Sequence, residues 1–179
     1  MLVIKFQNNE NLKTLIYLAF YTRLISSDLL TIKGNHIDLE KRELRCYSPK
    51  RNKYRSIAFH EYLLPILKNR IETVGDNELL NFNCVENLGG AIRRYFDDIG
   101  VNKYCSVRKF RKTFITMARE FGMDASIVAE LVCHEHQNTT DRFYNKISRV
   151  KMREELKKFP SVNELTYKEN EESAEVERK

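Results

Sequence analysis

Residues 108–147 read RKFRKTFITMAREFGMDASIVAELVCHEHQNTTDRFYNKI, and the rest of the chain is best read outward from them. Arg108, Lys109, Arg111 and Lys112 are interleaved with Phe110, Phe114 and Met117, an apolar stripe at helical spacing that would fix the basic residues against a core. Ser106 stands where a cap belongs and Gly122 where a helix stops, so one helix is expected from Ser106 to about Phe121. A second starts at Asp124 or Ser126 and carries Ile127, Val128, Leu131 and Val132 toward Cys133 and His134; a third starts at Asn138 or Thr139 and holds Tyr144. Arg108 and Arg111 are one helical turn apart, so both guanidinium forks can face the paired oxygens of one phosphate. A tyrosine hydroxyl is a poor nucleophile at neutral pH and needs cationic donors and a nearby acid or base. Each residue also has a plainer explanation: a solvated basic helix face, a capping histidine with His136 as its rival, a packing aromatic at Tyr144 beside Phe143. Their combination within one stretch is what favours phosphoryl chemistry.

Upstream, 9–23 has a helical apolar period with Asn9 or Asn11 as its cap. Ser26, Ser27 and Asp28 offer caps for a short helical run, Leu29 to Ile32, ended by Gly34. Strands are expected at His36 to Leu39, Glu43 to Tyr47 and Arg55 to Phe59, with turns at 40–42 and 49–54. Helical periods return over Glu61 to Thr73 and Cys84 to Ile99, where Gly89 and Gly90 would mark close packing, and over Arg149 to Lys158 before Pro160. The expected class is α+β, mainly helical, with a small three-stranded antiparallel sheet.

The chain has 179 residues and a formal charge of +6. The segment 161–179 holds six acidic and three basic residues, so the remainder carries 28 basic against 19 acidic, a net of +9 that suits an anionic partner. The expected division is 1–160 as one domain and 161–179 as an acidic tail, disordered or folding only on a partner. Cys46, Cys84, Cys105 and Cys133 form no CxxC pair, so neither a metal site nor a disulfide framework is expected. With no membrane-length apolar run and no signal-peptide pattern, a cytoplasmic location and no membrane partner are expected.

The quoted stretch resembles the signature of tyrosine recombinases, the phage integrase family: His-x-x-Arg, a Leu-Gly-His element, Thr-Thr and a tyrosine. Arg111 falls on the second family arginine, His134 on the second histidine-type position with the matching spacing to Thr139 and Thr140, and Tyr144 on the nucleophile. Arg108 replaces the first histidine, keeping a phosphate donor but losing a group that exchanges a proton near neutral pH. Val132-Cys133 replaces Leu-Gly. The sequence SPKRNKYRSIAFH at 48–60 resembles the family's lysine-bearing hairpin turn, which places Lys50 as the general acid, with Lys53 and Arg55 as contacts to the DNA backbone. YTRLISSDLL at 21–30 resembles the Thr-Gly-x-Arg-x-Ser-Glu-Leu element: aligned on Asp28, Ile25 falls on the family's first arginine and Arg23 on its glycine. Either Arg23 supplies that guanidinium from a shifted position, or the group is absent.

The resemblance implies a tyrosine recombinase catalytic-domain fold and a site-specific recombinase or integrase that cuts and rejoins double-stranded DNA through a 3′-phosphotyrosyl link, with no cofactor or metal. Tyr144, Arg111, His134, Lys50, Arg108 and Arg23 are its catalytic candidates, and Lys53, Arg55, Lys109 and Lys112 its DNA contacts. It further implies a homotetramer in a synaptic complex, monomeric when free of DNA, with 161–179 exchanged between subunits on Leu165 and Tyr167 as anchors, and a host-cell cytoplasm if the source is a virus or mobile element. The alternatives are a binding module on the same fold that no longer cuts, and a type IB topoisomerase-like enzyme.

Overall fold

The computed structural model describes residues 9–101, 104–132 and 148–161. Helix α1 (Glu10–Thr22) starts where Asn9 Oδ1 accepts the Leu12 N–H at 3.0 Å. It ends at Arg23, which takes the left-handed conformation (φ 60°, ψ 18°) and donates its N–H to the Ala19 carbonyl. Leu15, Leu18, Ala19 and Tyr21 of α1 are wholly buried, and the helix packs on α3 (Leu64–Val74), α4 (Val85–Asp98) and α5 (Val107–Glu120). Helix α6 (Ala125–Leu131) is capped by Asp124, whose side chain accepts from the N–H groups of Ser126 and Ile127. Helix α7 (Arg149–Leu156) is capped by Ser148 and packs on α6 and on the sheet.

The sheet is antiparallel in the order β1 (Ile37–Asp38), β2 (Glu43–Ser48), β3 (Lys53–Ala58). β2 and β3 form a hairpin in register from Glu43 opposite Ala58 to Ser48 opposite Lys53, closed by a 3-10 turn at Pro49–Arg51 and by Asn52 at φ 48°. The expected mainly helical α+β class with its three-stranded sheet is therefore what the chain forms.

Four local expectations change. β1 is shorter than His36 to Leu39, because His36 closes a 3-10 turn in which its Nδ1 accepts the Lys33 N–H at 3.2 Å. β3 begins at Lys53 rather than Arg55, which tightens the hairpin turn. The short helix α2 runs over Ser26–Leu29 instead of Leu29 to Ile32: Asp28 is drawn by partners across the fold rather than capping, while Ile32 and Lys33 pair with the segment around Glu78 and Leu79. The pair Gly89 and Gly90 does not mark close packing, since an added Cβ would meet nothing within 4 Å at Gly89 and only the Arg94 side chain, at 3.7 Å, at Gly90.

His60, at the exit of β3, is 2% exposed and stacks on Tyr62. Its Nε2–H donates to the Phe159 carbonyl at 3.1 Å, while its Nδ1 accepts the Tyr62 N–H at 3.2 Å. Both ring nitrogens are thus used by the neutral imidazole, and a second proton would have to enter where the Tyr62 N–H already points. Burial holds the His60 pKa below its ordinary value; Glu61 opposes this and Arg42 adds to it. The unfolded chain therefore binds the proton first, so this contribution to stability is whole above about pH 6.5 and is lost as the pH falls below it. Urea midpoints are expected to decline between about pH 6.5 and 5, ahead of most carboxylate titration, and to flatten there in His60→Gln. An unchanged slope in that variant would assign the loss to another group.

Candidate functional site

Helix α5 is turned so that Val107, Phe114 and Ala118 are buried, with Phe114 stacked on Phe159 at 4.4 Å between ring centroids. Ser106 caps it through the Lys109 N–H at 3.4 Å, and Gly122 follows it at φ 67°. Arg108, Lys109 and Lys112 lie on its exposed side, and Arg111 stands at the boundary, half-buried. Nη1 of Arg111 donates to the Arg23 carbonyl at 3.1 Å and Nη2 donates to the Val132 carbonyl. One guanidinium thereby joins the end of α1, the middle of α5 and the end of α6. Arg111 is only half-buried there, so the residue keeps surface at this junction.

Arg23 is 1% exposed. Its Nη2 donates to the Ala58 carbonyl at 3.2 Å and its guanidinium carbon lies 4.6 Å from the centroid of the Phe114 ring. The structure thus brings Arg23 and Arg111 into direct contact, through the backbone of the first and the side chain of the second. Ile25 is half-buried and extended (φ −81°, ψ 160°) just before α2.

Lys50 is exposed on the 3-10 turn of the hairpin and Lys53 is exposed at the start of β3. Arg55 differs from them. It is paired with the buried carboxylate of Asp28, which also accepts the Ser48 hydroxyl at 3.2 Å. Asp28 thus fastens the turn end of the hairpin, which carries Lys50, to α2, five residues beyond Arg23. In the sequence Asp28 reads only as a cap or an alignment anchor; its one local signal is a lone acid beside the apolar pair Leu29-Leu30. His134 and Tyr144 lie outside the described residues. Val132, whose carbonyl Arg111 holds, is two positions before His134 in the sequence. Among the described residues no group of His, Cys, Asp and Glu is arranged to hold a metal, Cys46, Cys84 and Cys105 are free thiols, and no helix is long and apolar enough to cross a membrane.

A small antiparallel hairpin sheet held against a helical body, with arginines gathered where α1, α5 and α6 meet, is the catalytic-domain fold of the tyrosine recombinases. The chain belongs to the phage integrase family, whose profile matches residues 3–150. Tyrosine recombinase XerA of Pyrococcus horikoshii is 25% identical over 166 residues, a match that covers 87% of this chain and 57% of that protein. Among solved structures, the integrase of mycobacterium phage Brujita superposes with a TM-score of 0.73 at 21% identity, covering 88% of this chain and 54% of the other. The integrase of transposon Tn1549, solved in complex with transposon right-end DNA, gives a TM-score of 0.62 at 16% identity, covering 86% of this chain and 60% of the other. The chain therefore spans less than two thirds of the length of each of these relatives.

Proposed function

We propose that this chain is the catalytic part of a DNA strand-exchange enzyme. The phenolic oxygen of Tyr144 attacks the scissile phosphorus, the bond from phosphorus to the 5′ oxygen breaks, and the 3′ side remains linked to the protein as a phosphotyrosine. Lys50 gives its proton to the departing 5′ oxygen, and His134 hydrogen-bonds a phosphate oxygen and assists removal of the tyrosine proton. Arg111 and Arg108 hold the nonbridging oxygens as charge develops. A 5′-hydroxyl of the partner strand then attacks the phosphotyrosine and restores the phosphodiester, so the covalent link conserves the bond energy and no metal or nucleotide is consumed. Lys53, Lys109 and Lys112 contact flanking phosphates. Residues 1–160 form the catalytic domain, 161–179 serve as an arm exchanged between subunits, and four copies assemble on two duplexes.

The observation that best supports this assignment is the Arg111 bridge, which fixes a half-buried arginine to the carbonyl of Val132, two residues before His134 in the sequence. Ile25, at the place of the family's first arginine, favours a second assignment, a DNA-binding module that does not cut. A nicked duplex separates the two, because the short strand beyond the nick diffuses away and traps the covalent product. The full chain incubated with such duplexes should give a protein–DNA adduct stable to denaturing electrophoresis, and peptide mass spectrometry should locate the nucleotide on Tyr144. Retarded DNA with no adduct across candidate sites, or attachment at another residue, would sink the strand-exchange assignment.

A further inference from the structure

Arg23 sits where a glycine would be easier to accommodate. The left-handed conformation that closes α1 is one that glycine adopts freely and a long side chain does not, and a buried cation loses its hydration. Both halves of the residue meet α5. Its carbonyl accepts Nη1 of Arg111 at 3.1 Å, and its guanidinium lies over the ring of Phe114, one helical turn further along, with Nη2 on the carbonyl of Ala58 at the end of β3. The left-handed turn aims the carbonyl, and the side chain fastens that turn to both the helix and the sheet. Of the two arginines it is Arg111, half-buried against 1% exposure for Arg23, that keeps surface for an anion.

We infer that Arg23 is a positioning residue: through its left-handed carbonyl and its grip on Phe114 it sets the direction of the Arg111 guanidinium, and it does not itself hold the phosphate. The inference rests on the strand-exchange assignment for its rate readout alone. A residue acting only through another loses its effect when that other residue is changed, whereas two independent phosphate contacts lose rate by the same factor in either background.

The test uses the full chain as wild type, Arg23→Met, Arg111→Lys and the double variant, with single-turnover adduct formation on the nicked duplex at saturating DNA. Arg23→Met should slow the wild-type protein about 100-fold, the scale of a misaimed catalytic group, with unchanged DNA affinity. In the Arg111→Lys background it should change the rate by no more than about twofold. An equal loss in both backgrounds, or no loss in the wild type, overturns the inference. Phe114→Leu, which removes the ring beneath the guanidinium and leaves both arginines, must repeat the pattern if Arg23→Met does not fold, and a loss that persists in Arg111→Lys again overturns it. A second arm needs no activity. The side-chain N–H signals of Arg111 in nitrogen-15 NMR, identified by their disappearance in Arg111→Lys, should be sharp in the wild type and broadened by Arg23→Met. Unchanged signals overturn the inference, while a wild-type protein that forms no adduct counts against strand exchange and leaves this arm to decide the role of Arg23.

Discussion

Arg111→Ala is expected to slow adduct formation about 100- to 1,000-fold at saturating DNA, the usual cost of removing one preorganised donor from a developing oxyanion. The effect is large because Arg111 does two things at once. Its two bonds to the carbonyls of Arg23 and Val132 fix its own plane and tie α6 to α1, and in the proposed mechanism its charge meets the nonbridging oxygens. Arg111→Lys should recover little of the rate: a lysine is a point charge on a flexible stem and cannot span two carbonyls while reaching a phosphate. DNA retardation should change far less than rate, because the exposed cations Lys50, Lys53, Arg108, Lys109 and Lys112 remain to meet the backbone. Single-turnover rates and DNA affinities measured side by side check this, and an Arg111→Ala protein that reacts at the wild-type rate would remove Arg111 from the site.

The largest loss of stability is expected at Asp28→Ala. Asp28 is 1% exposed and its carboxylate receives the Arg55 guanidinium and the Ser48 hydroxyl. Removing one member of a buried pair leaves the other charge desolvated, a change that costs about 3–5 kcal/mol. For a chain of this size that corresponds to a fall of roughly 6–20 °C in the melting midpoint. Replacing both partners with apolar side chains, as in Asp28→Leu with Arg55→Met, should recover much of the loss, since no buried charge is then left alone. Arg55 was expected to be a DNA contact. If its service is to Asp28, Arg55→Met will lower the melting midpoint while the salt dependence of DNA binding keeps its slope, whereas a phosphate contact would reduce that slope by about one. Urea or thermal unfolding of the four proteins decides between these outcomes, and an Asp28→Ala protein as stable as the wild type would refute the role given to the pair.

The features legible in the sequence are those set by neighbours along the chain. Asn9, Ser106 and Asp124 cap helices through N–H groups two or three residues ahead, and Gly122 follows α5 with a positive φ. The basic turn of α5 is likewise local, because its exposed and buried sides follow from the 3.6-residue period once Phe114 is known to face inward. Asp28 was misread for the opposite reason. As a local residue it competes to cap a helix, but Ser48 and Arg55, about two dozen residues away, offer its carboxylate a charge-assisted alternative inside the core.

The sequence by itself determined the order of elements, the family and the identity of the candidate nucleophile, since each rests on residue type and spacing. Only the tertiary structure decided what three of the arginines touch. Arg23, Arg55 and Arg111 carry the same charge and similar reach, and nothing in a linear pattern distinguishes them. Folding buries Arg23 against Phe114 and Ala58, couples Arg55 to Asp28, and sets Arg111 between two carbonyls. The physical reason is that a guanidinium has five donors and no acceptor. Its role is set by which acceptors the fold brings within about 3 Å, and those acceptors come from distant parts of the chain.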